Sequence, residues 1–533
     1  MMKDQDGVKE EAFLLEEYSD SDVALNHPES EEPSGEIVLP NTESKHSAWR
    51  RPFDHMHGAI VLPPTASQET AGRYGSAPQS FYIRSMNVAK SVLVFFIPSF
   101  VVARYTDKTL DPPAKIQPTA YLNGLRGIAA FCVWSQHFMT EYYSSKFQWG
   151  YQSRPEDVWF LQWPFVRVLH SGLFMVTIFF ILSGFVLSLR PLQLARERED
   201  QQLLKSLASS VFRRAPRLFL PIVSPLFVAA ICVHYQVFYQ GNHSLEGLKM
   251  AATGGSLWAE LRTAFWSWNI VINPLSQKQS PYFPPTDAPL WTLSFEFEGS
   301  IVIFLLVLCF AKIRSSLRLL SFGGISLYCL FHSRWPLASF INGAILAELR
   351  LIREEKKIPE EETFKPSTSK SLLKVFMRFF WTIIFIASIY IGSLPVFGAI
   401  STPGYMTMVA TTPQQYYASA EAMAAYWGGI ASVMLLLALE NCESLQRPFA
   451  SAFARYLGDI SFSLYVIHVP MLLTMGRPIA VGFIHLTGNY AVGLCLTYTV
   501  LVPILVCLSD VQWRLFDENS VKFARWLALK MAA

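Results

Sequence analysis

From residue 121 onward the chain repeats one pattern, an apolar run long enough to cross a bilayer followed by a polar or charged connection. About ten such runs can be placed, near 122–143, 172–189, 218–238, 289–310, 317–334, 336–350, 379–398, 421–440, 457–475 and 490–512. A helix rises 1.5 Å per residue, so roughly 20 apolar residues cover a hydrocarbon core ~30 Å thick, and each run predicts a transmembrane helix. The sixth is short, and a re-entrant segment is an alternative there. The run "VAKSVLVFFIPSFVVARY", residues 88–105, is interrupted by Pro98 and flanked by charge. It is expected at the membrane interface as a half-span.

Composition agrees with that pattern. Hydrophobic residues make up 51% of the 533, aromatic residues 14% and charged residues only 16%, with a mean hydropathy of +0.27. Soluble chains carry about a quarter charged residues, so the expected fold class is an all-α integral membrane protein, a bundle of about ten transmembrane helices behind a disordered N-terminal tail. A lipid bilayer is the expected partner and nucleic acid is not. The seven cysteines show no CxxC pair and most lie in apolar runs, which suits small buried hydrophobes and no metal site.

Net charge is only +3, yet it is unevenly spread. The beginning, "DQDGVKEEAFLLEEYSDSD", is acidic and too poor in hydrophobic residues to fold alone. The expected organisation is a disordered acidic cytosolic tail over 1–80, an interfacial segment over 81–120, the membrane domain over 121–515 and a short cytosolic tail over 516–533. No basic stretch precedes an apolar core at the N-terminus, so no cleaved signal peptide is expected. Glu10, Leu14 and Leu15 fit a dileucine sorting pattern, although so short a pattern arises by chance and a plain tail is the simpler reading.

Lys and Arg alternate between connections. Residues 190–217 carry Arg190, Arg196, Arg198, Lys205, Arg213, Arg214 and Arg217, and 350–378 are similarly basic. The connection "FGAISTPGYMTMVATTPQQYYASAEAM" has neither. Cytosolic loops are enriched in these residues, so the alternation predicts ten spans with both termini in the cytosol. An ER-type endomembrane is the expected location. Asn242, in the glycosylation pattern Asn242-His243-Ser244, then falls on the far side.

Polar residues inside the spans carry the candidate chemistry. In "YLNGLRGIAAFCVWSQHF", Arg126 and His137 are eleven residues apart, about three turns plus 20°, so they share one helix face roughly 16 Å apart. Charge at that depth needs a polar cavity or a partner. A snorkelling arginine and a histidine bonded to a neighbouring helix is the alternative. In "APLWTLSFEFEGS", Glu296 and Glu298 lie about 200° apart, so at most one is central; Ser294 shares a stripe with Trp291. In "RYLGDISFSLYVIHVP", Ser461, Tyr465 and His468 share a face while Asp459 lies nearly opposite, which is no ready Ser-His-Asp triad; helix-to-helix bonding is the favoured role. Ser183 in "FFILSGFVL" lacks a nucleophile elbow and suits close helix packing. Arg213, Arg214 and Arg217 in "FRRAPRLFLP" suit positive-inside anchoring or a polyphosphate ligand at a cytosolic mouth.

In this order, the segments "YLNGLRGIAAFCVWSQHF", "IFFILSGFVLS", "RRAPRLFLP", "PLWTLSFEFEGS" and "YLGDISFSLYVIHVP" resemble the membrane acyltransferase-3 family, in particular its fungal members. The resemblance implies transfer of an acyl group, often acetyl, from acyl-CoA as co-substrate to a hydroxyl, with no bound cofactor. It makes Arg126 and His137 the R-x10-H element, Arg214 and Arg217 the R-x-x-R element, and Glu296 the acid after the Trp-Thr pair. Glu298 inherits no role. The closing Glu-x-Pro of the family is "FDENS" here, with Ser520 in place of proline. On this reading His137 is the general base, since a neutral imidazole can take the hydroxyl proton as oxygen attacks the thioester. Arg126, Arg213, Arg214 and Arg217 would bind acyl-CoA, and Glu296 would orient an arginine or histidine. The resemblance favours a small hydroxylated acceptor of terpenoid or polyketide type over a carbohydrate. A proton-coupled carrier is the leading alternative class, but no second copy of the 121–138 pattern is found.

Overall fold

The structure is a computed structural model that describes residues 95–101, 118–143, 146–237, 255–273, 282–361 and 368–531. The acidic tail, the dileucine pattern and Asn242 lie outside the described residues. Within them the long elements are helices: α1 (Ala120–Tyr143), α2 (Gly172–Glu197), α3 (Asp200–Phe219), α4 (Val223–His234), α5 (Leu257–Val271), α6 (Trp291–Phe310), α7 (Ser315–Phe331) and α8 (Trp335–Glu361). They continue as α9 (Thr368–Gly392), α10 (Ala420–Asn441), α11 (Ala452–Asp459), α12 (Ser461–Met471), α13 (Arg477–Thr487), α14 (Tyr490–Gln512) and α15 (Glu518–Met531). One isolated bridge, Trp149 with Phe397, ties two connections together.

Each apolar run falls on a helix, and among the described residues eight helical segments are long and apolar enough to cross a membrane. α1 is not one of the eight because it carries Asn123, Arg126, Gln136, His137 and Glu141, and α7 is apolar but has only 17 residues. The fold is thus an all-α, multi-pass membrane bundle. Three expectations change in detail. The sixth run is no re-entrant fragment: α8 has 27 residues, and Glu348 on it is buried against Arg196 at 2.8 Å and Arg318 at 2.6 Å. The basic connection 190–217 is helical throughout most of its length, as the end of α2 and all of α3, and α3 with α4 forms one apolar candidate span, Asp200–His234. The tail expected after 516 is α15. Serine at 520 keeps its backbone N–H and donates Oγ–H to the carbonyl of Phe516 at 2.7 Å, where a proline ring would collide with that carbonyl.

α2 is the central helix, with 89% of its apolar window buried. Its closest neighbour is α8. A Cβ on Gly184 would lie 1.9 Å from the Phe340 carbonyl oxygen, and one on Gly343 would lie 2.2 Å from that of Ile181. Glycine at both crossings lets the backbones touch. α1 packs in the same way on α11, where Gly127 meets Gly458.

α12 runs parallel to α1. At the end where α1 begins, Arg126 donates to the carbonyl of Gly458, just ahead of α12; at the far end Tyr142 donates its hydroxyl to that of Leu472 at 3.0 Å. Glu141 pairs there with Arg477. Pro98 breaks the described part of the 88–105 run, and that piece is seated on the end of α14, with Ser99 Oγ donating to Asp510 at 2.7 Å.

Candidate active site

Parallel α1 and α12 bring their histidines to one level. The rings of His137 and His468 face each other with centroids 5.0 Å apart and planes inclined by 45°. His468 is fully buried, and its Nδ1 meets the carbonyl oxygen of Tyr465. A carbonyl only accepts, so Nδ1 carries the hydrogen and Nε2 the lone pair. Among the described residues no group bonds that Nε2. His137 also lines a narrow cleft, about 240 Å³ including the open space at its mouth, with Thr140, Glu141, Val469, Leu472 and Leu473.

Tyr465 continues the polar seam across to α6. Its hydroxyl donates to the carbonyl of Pro289 and lies 3.2 Å from Thr292 Oγ1. Thr292, Glu296 and Ser300 follow at four-residue spacing on one stripe. Glu296 is fully buried and accepts from Ser183 Oγ on α2 and from Arg214 Nη2 on α3. Arg214 Nε donates to Ser300 Oγ at 2.8 Å. Polar groups therefore run through the bundle from His137 to Arg214, drawn from five helices. Glu298, two residues from Glu296, faces away and sits 3.5 Å from Arg334 in a half-exposed pair.

The other residues singled out in the sequence have different surroundings. Arg126 is 8% exposed, and its Nη2 donates to Asn123 Oδ1 and, at 3.1 Å, to the Gly458 carbonyl. Ser461 Oγ donates to the same carbonyl at 2.6 Å, and Asn123 donates to Asp459 at 2.7 Å. Arg126 is thus placed at the break between α11 and α12, outside the His137 cleft. Ser294 donates to the Val271 carbonyl at 2.8 Å and so fastens α6 to α5. Trp291 is buried between Phe283 and Phe295.

Arg214 and Arg217 were expected at a membrane-surface mouth, but both side chains are buried, because the segment is a helix whose basic face turns inward. Arg213 is half-buried and donates Nε to the Ser209 carbonyl at 3.2 Å. A phosphate contact by Arg214 would require its Glu296 pair to open.

Two features were not legible in advance. The pairing of His137 with His468 joins segments more than 300 residues apart. Asp287 stands just before the turn Ala288–Leu290; its side chain makes no capping bond and, among the described residues, neither of its buried carboxyl oxygens has a partner. Burial pushes its pKa well above the usual carboxylate range.

A family model described as "Acyltransferase domain" matches residues 119–508. "O-acetyltransferase PaAT-1" of Phomopsis amygdali is 30% identical over 440 residues, covering 77% of this chain and 84% of that protein. "Acyltransferase clz18" of Cochliobolus lunatus is 23% identical over 446 residues, 76% of this chain and 94% of its own. "Acyltransferase R4" of a Phoma species is 21% identical over 378 residues, 63% and 78% respectively. No solved structure matches.

Proposed function

The chain belongs to the acyltransferase domain family, and from that premise we propose that it moves an acyl group, acetyl by preference, from acyl-CoA to a hydroxyl of a small acceptor within the helix bundle. The observation that carries this reading is the contact of His137 with His468, 5.0 Å between ring centroids, beside a narrow cleft that His137 lines. The name of one relative, an O-acetyltransferase, supports oxygen as the acceptor atom and acetyl as the group.

The step balances with groups already in place. His137 takes the proton of the acceptor hydroxyl as its oxygen attacks the thioester carbonyl carbon. The tetrahedral intermediate collapses with loss of the CoA thiolate, which recovers the proton from the His137 imidazolium. An ester and free CoA thiol result. His468, fixed by Tyr465 and with a buried Nε2 lone pair that no described residue uses, accepts a hydrogen bond from that transient imidazolium and holds its ring in place. Glu296 holds Arg214, and Arg217 with Arg213 on the same helix provides positive charge for CoA phosphate. Arg126 acts one step further away, by seating the start of the helix that carries His468.

Val469, Leu472 and Leu473 make the cleft wall apolar. That favours a carbon-rich acceptor such as a terpenoid or polyketide over a polysaccharide, whose many hydroxyls would each need a partner. The test is purified protein reconstituted in sealed lipid vesicles and given labelled acetyl-CoA and a panel of hydroxylated terpenoids and polyketides. Labelled ester is expected. Uptake of label into vesicles without ester would favour a carrier.

A further inference from the structure

The face of α1 next to His137 opens, at Gln136, into a second cavity of about 510 Å³ including its mouth. It lies between the start of α2 and the turn that follows α9, and its polar lining is Gln136, Gln148, Arg167 and His170. Phe147, Leu173, Phe174, Leu394 and Val396 make up most of the rest.

Arg167, on the turn Val166–His170, is only 2% exposed. Its Nη1 reaches the carbonyl of Trp149 at 3.5 Å, the outer limit for a bond, and its Nε meets no acceptor. Arg196, Arg214, Arg318 and Arg477 each pair with a glutamate; among the described residues Arg167 pairs with none. Burial lowers its pKa to about 10, which leaves it cationic at neutral pH. Burial and the adjacent Arg167 charge lower that of His170 to about 4, so His170 is neutral and Arg167 is the cavity's one cation. A buried cation without a counter-charge is costly unless a ligand supplies one.

A second positive feature faces the same space. α2 has 26 residues, and its N-cap Ser171 does not cap it, because its hydroxyl donates back to the Arg167 carbonyl at 3.0 Å. Ser171 through Phe174 line the cavity, so the open first turn of a long helix presents its N–H end there. The cavity lies next to the reaction cleft, across a shared wall: Gln148 donates to Thr140 Oγ1 at 3.0 Å, and Thr140 lines the His137 cleft.

We propose that this cavity binds a carboxylate of the acceptor, between Arg167 and the first turn of α2, so that the preferred acceptor is an apolar hydroxy acid whose hydroxyl is delivered to His137. The inference rests on the acyl-transfer reading and adds the acceptor's chemical class to it. A single cation in a cavity otherwise lined by neutral polar and apolar groups suits a monoanion on a largely hydrocarbon frame; a phosphate dianion would call for more positive charge.

The test is thermal unfolding of the full-length protein in detergent, with ω-hydroxydecanoate and its uncharged methyl ester as probes. Below its micellar concentration the acid is expected to raise Tm and the ester to raise it much less. Arg167→Gln should abolish the difference and Arg167→Lys should keep part of it. Should Arg167→Gln fail to fold, Ala424→Phe decides instead: Ala424 lines the cavity from α10, and the larger side chain should remove the acid's effect without touching the charge. Equal shifts for acid and ester in the parent protein, or an acid preference that survives Arg167→Gln or Ala424→Phe, would overturn the proposal. Acyl transfer is assayed in parallel. An Arg167-dependent acid preference with no ester formed from any acceptor would sink the transfer reading and leave the site standing. Transfer to neutral acceptors with no acid preference would do the reverse.

Discussion

Asp287 shows at the residue scale how burial sets chemistry that a sequence pattern hides. Nothing in the residue pattern marks it; only the packing of the following turn reveals a carboxyl with no partner among the described residues, just outside the span that begins at Ala288. Its raised pKa fixes the sign of a pH effect. The folded state keeps the proton at pH values where the unfolded chain has already lost it, so folding stability is highest below the unfolded value of about 3.9 and falls as pH rises toward the folded pKa. Asp287→Asn should flatten that fall, read as Tm against pH in detergent; an unchanged slope would mean that Asp287 is not the group responsible. Arg126 shows the opposite case. Its shared face with His137 was readable from eleven-residue spacing, but the side chain is occupied with Asn123 and Gly458, a contact between distant segments that spacing on one helix cannot disclose.

At the scale of elements, the helices were legible because the length of an apolar run is itself the physical requirement for spanning. Their limits were less so. Hydropathy treats Arg214 as a reason to end a helix, whereas the bundle neutralises it with Glu296 and the helix continues. The separation of Glu296 from Glu298, by contrast, follows from helix geometry alone and is what the structure shows. The crossing of α2 on α8 depends on glycine. Gly184→Ala places a methyl carbon 1.9 Å from the Phe340 carbonyl oxygen, and overpacking of this kind costs about 1–3 kcal/mol or more. Gly323 on α7 has nothing within 4 Å of an added Cβ, so Gly323→Ala should be neutral or stabilising by roughly 0.5–1 kcal/mol. Equal Tm changes for the two variants would show that the α2–α8 contact is looser than described.

For the whole molecule, the alternation of basic and uncharged connections predicts the sides. Both termini are expected in the cytosol and the connection around Gly404, which follows α9, on the opposite side. Tags at either terminus should be modified by a membrane-impermeant reagent added from the cytosolic side, while a tag inserted at Gly404 should be protected. Labelling of the Gly404 tag from that side would overturn this orientation. The order of motifs along the chain pointed to the family, but how α1, α12 and α6 join them into one seam depends on packing between segments and had to be seen in three dimensions.

The central claim is that His137 handles the hydroxyl proton. Its most direct test is single-turnover acetyl transfer by parent protein and His137→Gln, matched for folded protein and for acyl-CoA binding. Glutamine can still hydrogen-bond a neighbouring helix but cannot act as a base near neutral pH. The account predicts that transfer falls by roughly 10²–10⁴ while acyl-CoA affinity is kept. Near-parental transfer by His137→Gln would contradict it and reduce His137 to a helix contact.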